Sequence, residues 1–201
     1  MSIIHSSTRN RSFLKMYKTL QELGVKNNKF FLRLYDADLA NVNPHDKNLS
    51  SVIKKKIVVE IVRNPWYYLR EVILLPAAGS SIPFELHRGN LALVWCILNN
   101  LNTILILPRQ QGKTIGVVSI LEWVYDFGTS NTEILFSNKS LGDAINNLKR
   151  LKDIRHQLPA FLKEAITNTS EDVDNIEGIL CADRNNSIKT KGQPRSAVDA
   201  D

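Results

Sequence analysis

Thr103-Ile104-Leu105-Ile106-Leu107-Pro108-Arg109-Gln110-Gln111-Gly112-Lys113-Thr114 reads as a short buried β-strand that breaks into a tight loop, and Ile115 to Val124 continues it as an amphipathic helix. That order of strand, glycine-bearing loop and helix is what a phosphate-binding loop requires. Gly112 lets the backbone approach phosphate oxygens, and consecutive N–H groups point inward at the start of a helix. Lys113 would add a full positive charge where the β- and γ-phosphates sit, and Thr114 would offer its hydroxyl to Mg²⁺. The usual pattern has a second glycine five residues before Gly112; Leu107 stands there instead. The β-branched apolar run before the loop and the helical pattern after it are the context that supports the motif in spite of that departure.

Outward from the loop, 201 residues at 43% hydrophobic are enough for a real core, and the length suits one domain with an appendage. A net charge of +6 suits a polyanionic partner such as DNA or a nucleotide, although ordinary globular proteins also reach it. Cys96 and Cys181 stand far apart with neither metal-ligand nor disulfide spacing, so a reducing compartment is expected. No apolar run approaches membrane-spanning length, and Met1 to Arg11 is too polar for a signal peptide.

In chain order, residues 1–11 read as a disordered start rich in Ser, Asn and Arg. Residues 12–62 read as a helical N-terminal subdomain. Phe13, Leu14, Tyr17, Leu20 and Leu23 fall near helical spacing, with Gly24 placed to stop that helix, and Leu49 to Val62 forms a second. Lys54-Lys55-Lys56 lies on the second helix, as a solvated face or a DNA contact. Asn64-Pro65 then punctuates the chain, because Pro65 suits the first position of a helix that carries Trp66, Tyr67 and Tyr68. Pro76 to Pro83 is the strongest loop signal before Gly112, and Leu86 to Leu98 is the next helix.

Beyond the glycine loop, Thr132 to Phe136 forms a strand, expected to pair in parallel with Ile104 to Leu107 through a right-handed crossover. Ser137-Asn138-Lys139-Ser140 ends that strand, where doubly wound sheets hold ligands or where Ser140 simply caps the next helix. Leu141 to Ile154 is helical, with Lys149, Arg150, Lys152 and Arg155 mostly on its polar face. Ile179-Leu180-Cys181-Ala182-Asp183 has the form of a strand ending in a metal-holding aspartate, but Arg184 stands where the water-orienting carboxylate should be. The turn residues Arg184-Asn185-Asn186 make a β-hairpin the better reading.

Pro108-Arg109-Gln110-Gln111-Gly112-Lys113-Thr114 resembles the deviant phosphate loop of large terminase subunits, the ATP-driven motors that pump DNA into viral capsids. Glu133 to Lys139 and Leu158-Pro159-Ala160-Phe161-Leu162 look like that family's next strand and helix stop, so the resemblance runs from about Arg63 to Arg195. It implies an α/β fold: a P-loop NTPase of the additional-strand type, with a parallel-sheet core over residues 63–201 preceded by the helical subdomain. ATP and Mg²⁺ are the implied cofactors. Pro108, Arg109, Gln110, Gln111, Gly112, Lys113 and Thr114 are the implied ATP-binding residues, with Arg109 as an arginine finger supplied in cis. Asn64, Trp66 and Tyr67 look like the family's adenine-enclosing segment. The family's adenine-reading glutamine is absent from His87-Arg88-Gly89-Asn90, where Arg88 or Asn90 would have to substitute.

Double-stranded DNA, a portal protein, a small terminase subunit and sister copies in a ring are the implied partners, in a host cytoplasm and at a procapsid portal. On this reading the chain stops before its metal-binding strand and nuclease domain, and alone would not turn ATP over. Another P-loop translocase such as a helicase, or a nucleotide-binding assembly module without hydrolysis, are the alternatives.

Overall fold

The computed structural model describes residues 4–5, 8–77, 79–106, 108, 112–166 and 172–192. Its elements, in order, are β1 (Ile4–His5), α1 (Arg11–Glu22), β2 (Arg33–Leu34), α2 (Ser51–Arg63), α3 (Pro65–Tyr67), β3 (Leu74–Ala77), β4 (Ser80–Pro83), α4 (Arg88–Leu98), α5 (Lys113–Trp123), β5 (Glu133–Asn138), α6 (Leu141–His156), α7 (Ala160–Ala165), β6 (Val173–Asp174), β7 (Gly178–Cys181) and β8 (Asn186–Gly192). The chain is a mixed α/β protein with three small sheets among the described residues.

Side-chain caps fix the helix starts. Asn10 accepts from the Ser12 N–H to open α1, Ser50 accepts from the Ile53 N–H to open α2, and Ser140 accepts from the Asp143 N–H to open α6. Each satisfies a backbone donor the helix leaves orphaned, typically worth about 1 kcal/mol. Asn64 caps α3 through Tyr67 N–H at 3.1 Å, with Pro65 at the first helical position. The Asn64 amide also donates to the Arg33 carbonyl at 2.8 Å and to Glu60 at 2.6 Å. Glu60, nearly fully buried, accepts as well from the Tyr35 and Asp36 N–H groups, each at 3.1 Å. One carboxylate thereby ties α2 to the chain before it.

One apolar cluster runs through the molecule, from Phe13 and Phe31 through Ile57, Ile61, Tyr68 and Val118 to Leu148, Leu151 and Ile188. Full burial of such a side chain stabilises by roughly 1.5–3 kcal/mol, so the early helices and the later sheet share one source of cohesion. The Asn10 amide, buried, donates to the Phe84 carbonyl at 2.7 Å, and β1 pairs antiparallel with β2. Ordered structure thus begins earlier than the polar composition of residues 1–11 suggests, because one capping asparagine finds a partner far along the chain.

The largest sheet has the order β5-β8-β7-β6. β5 and β8 are parallel over Glu133–Asn138 and Ser187–Gly192, while β7 is antiparallel to β8 and to β6. α6 lies against β5, β8 and α5. Ile134, Phe136 and Ile188 are turned into the packed cluster, whereas Leu135, 53% exposed, sits opposite exposed Lys189 on the uncovered face. The hairpin reading of residues 178–192 agrees with this arrangement, and Asn185 takes the left-handed conformation (φ +52°) at its turn.

Two expectations need correction. Residues 101–106 form no strand, and Ile104 and Ile106 are 90% and 88% exposed; β5 takes β8, more than fifty residues later, as its parallel partner. An apolar β-branched run sets a strand's propensity but not its partner, and none of the described strands lies against this one. Residues 76–83 are not a simple loop either. They belong to the β3–β4 hairpin, turned at Gly79 (φ +71°), because alternating pairs such as Leu75 with Ile82 outweigh two prolines at the edges.

Candidate functional site

Helices α4 and α5 run side by side in the same direction. His87 lies beside Gly112, Asn90 beside Gly116, and further on Trp95 and Trp123 line the same cleft. Both N-termini, each carrying the partial positive charge of a helix start, therefore come together at Gly112.

Gly112 caps α5 in the left-handed conformation (φ +65°, ψ +16°) with no side-chain cap bond, and its carbonyl accepts the first intrahelical bond from Gly116 N–H at 2.9 Å. A Cβ at Gly112 would stand 3.3 Å from His87 Nε2. Glycine suits the position chiefly through its left-handed backbone, and a Cβ would also crowd the His87 ring. Lys113 and Thr114 are half-buried in the first turn of α5.

Pro108 is exposed; Leu107, Arg109, Gln110 and Gln111 lie outside the described residues. Arg88, exposed, opens α4 at the same end of the helix pair. Asn90 is fully buried: its amide donates to the Glu85 carbonyl at 3.2 Å, and its Oδ1 has no hydrogen-bond partner and faces Gly116, where a Cβ would stand 2.4 Å away. Its side chain is a spacer between the two helices. His87 was missed by sequence reasoning, which named Arg88 and Asn90 of the same segment as substitutes for the absent glutamine; its position just before α4 was the available signal.

Asn64, Trp66 and Tyr67 lie toward the other end of α5. Trp123 Nε1 donates to the Ile61 carbonyl at 2.8 Å, and Trp66 shares a cleft with Trp123. Ten residues of α-helix separate Lys113 from Trp123, about 15 Å at the helical rise. Asn64 and Tyr67 are buried and Trp66 packs edge-on against Phe30, so the structure does not bring this trio to the glycine loop.

The far end of α5 holds a sealed polar network that no sequence signal announced. Tyr68 Oη donates to Glu122 Oε2, and Glu122 lies beside Asp126, whose Oδ2 accepts from Arg155 Nε at 2.8 Å. Burial, then the neighbouring Asp126 charge, pushes the Glu122 carboxyl well above its ordinary range. Burial also raises Asp126, with Arg155 opposing the shift. The network joins α5 to α6 and to the turn after α3.

Several basic residues that might have faced DNA are engaged internally. Arg155 pairs with Asp126 and Lys152 with Asp174. Lys56 pairs with Asp36 and Asp38, and Lys54 lies over the Phe161 ring at 5.9 Å. Lys149 and Arg150 remain exposed on α6. Among the described residues no group of three or more His, Cys, Asp or Glu could hold a metal ion, and no helix is long and apolar enough to cross a membrane. The chain matches no protein-family model and no curated protein.

Proposed function

We propose that this chain is the nucleotide-binding front part of an ATP-driven DNA-packaging motor of the large-terminase kind. The observation that carries the reading is Gly112: a left-handed glycine opening α5, followed directly by Lys113 and Thr114, beside the N-terminus of α4. Two helix N-termini and a cradle without a Cβ favour an anion with several oxygens, and Lys113 supplies the charge a triphosphate needs. The donor set also suits Mg²⁺, which takes few protein ligands and completes its shell with phosphate oxygens and water, so the Thr114 hydroxyl suffices as the chain's own contribution. His87 and Arg88 stand at the rim of this cradle and are the residues placed to meet the nucleotide beyond its phosphates.

In this reading the work is done on double-stranded DNA at a procapsid portal, by copies arranged in a ring with a small terminase subunit.

The test is ATP affinity by calorimetry for the wild type and Lys113→Ala. A charge-assisted hydrogen bond contributes about 1.5–3 kcal/mol, so the substitution should weaken binding roughly tenfold or more. Equal affinities would remove the phosphate-loop reading.

A further inference from the structure

A cleft of about 670 Å³ opens at the end of α5 away from the glycine loop, lined from α2, α3, α4, α5 and the segment after α1. All three tryptophans of the chain line it: Trp66 and Trp123 are 8% exposed, and Trp95 presents 47% of its surface at the rim. Its volume lies in the range of small-molecule sites.

The charge of the lining is one-sided. Arg33 and Arg63 are among the lining residues, and no Asp or Glu is. Among the described residues neither arginine has an ion-pair partner within 4.0 Å. Glu60 and Asp36, which line a neighbouring pocket together with Arg63, are already committed. Glu60 is taken by the Tyr35 and Asp36 N–H groups and the Asn64 amide, and Asp36 by Lys56 at 3.1 Å. The polar rim is completed by Asn27 and by Asn99, whose amide donates to the Trp95 carbonyl at 2.7 Å, leaving its Oδ1 as an acceptor.

We propose that this cleft binds a nucleotide unit, its base stacked on Trp95 and its phosphate held by Arg33 and Arg63. An exposed indole face offers stacking to any base, and two uncompensated guanidiniums offer charge and forked donors to phosphate. An aliphatic or cationic ligand would leave both arginines unanswered, and a bare polyanion would leave Trp95 uncovered. The site is separate from the phosphate loop and stands without the function proposed for it.

Because every tryptophan lines this cleft, intrinsic fluorescence reports on it. Wild type is titrated at low salt with thymidine monophosphate and with a short oligothymidylate, alongside Lys113→Ala and the double variant Arg33→Gln, Arg63→Gln. Saturable quenching is expected in wild type and Lys113→Ala, weakened about tenfold or more in the arginine variant and by added salt. Trp95→Ala, followed by anisotropy of labelled oligothymidylate, should weaken binding by a similar factor. Quenching by the oligomer alone assigns the site to single-stranded nucleic acid, and equal quenching by the monophosphate assigns it to free nucleotide. No quenching by either probe overturns the proposal, as does quenching that survives in the arginine variant and disappears in Lys113→Ala. The emission maximum of the unliganded arginine variant checks that its core is intact, and among the described residues neither side chain it changes has an ion pair to lose.

Discussion

The two ends of α5 use polar chemistry in opposite ways. At the N-terminus the polar groups belong to the backbone and to residues at the surface: Gly112 without a side-chain cap, half-buried Lys113 and Thr114, exposed Arg88. At the C-terminus they belong to side chains largely removed from water: Tyr68, Glu122 and Asp126, all buried, and Arg155, whose side chain is 16% exposed. A helix start at the surface can have its backbone donors answered by solvent. The closed end has no such outlet, so each group must be answered inside the protein or give up its charge. One helix thereby joins a start that meets solvent to an end that is largely buried.

The sharpest way to break this comparison is to disturb the packing that holds the open end in shape. Gly116→Ala places a Cβ 2.4 Å from Asn90 Oδ1, inside a contact with no exposed surface on the asparagine. Overpacking of this kind costs about 1–3 kcal/mol, and it should also separate the N-termini of α4 and α5. Chemical denaturation should show the loss, and adding Asn90→Ala should recover part of it by removing the obstructing oxygen. Equal stability of Gly116→Ala and wild type would mean that Asn90 moves aside freely and that the helix pair is not held at this point.

Much of this asymmetry could be read from the residues, and the failures are instructive. Asn64-Pro65, Ser140 and Arg184-Asn185-Asn186 act locally: a cap, a fixed φ or a turn needs only neighbours a few residues away, and the structure forms each of them. Glycine, lysine and threonine in sequence also marked the open end. Pairing is not local. Nothing within Glu133–Asn138 says that its partner is residues 187–192 and not 103–107, and the actual partner, with Ile188 as its one aliphatic residue, carries the weaker apolar signal of the two. The closed end was hidden for a different reason. Glutamate and aspartate four residues apart on a helix ordinarily mark its wet face, and only the arrival of Tyr68 and Arg155 from distant elements makes them interior. The cleft was half legible: Trp66 was singled out for base contact, but Trp95 and Trp123 come to it only through the parallel course of α4 and α5.

A smaller effect, dependent on pH, sharpens the closed end. Glu122 is raised in the folded state, mainly by burial, so between its ordinary value and its folded value the folded chain keeps a proton that the unfolded chain has released. Its contribution to stability is full below the ordinary glutamate range and declines as pH rises above it. Glu122→Gln keeps an acceptor for Tyr68 and cannot ionise. The variant should therefore lose this decline, gaining on wild type in melting temperature as pH is raised from about 4.5 toward neutrality. Parallel pH profiles for the two proteins would mean that water reaches Glu122 and that the end is not sealed.

The least expected change in stability lies just ahead of the open end, at Ile104 and Ile106. Their side chains are almost entirely in solvent, so replacing both by lysine removes little burial and should alter the unfolding free energy by no more than about 0.5 kcal/mol. Self-association is another matter. An exposed apolar run is a site for association with a neighbouring chain, and two lysines interrupt it with charge. Light scattering of the Ile104→Lys, Ile106→Lys variant should accordingly fall at high protein concentration while its denaturation midpoint stays where it was. A large drop in the midpoint would reverse the inference: these isoleucines would then be covered in the folded chain, and residues 101–106 would belong to a packed sheet after all.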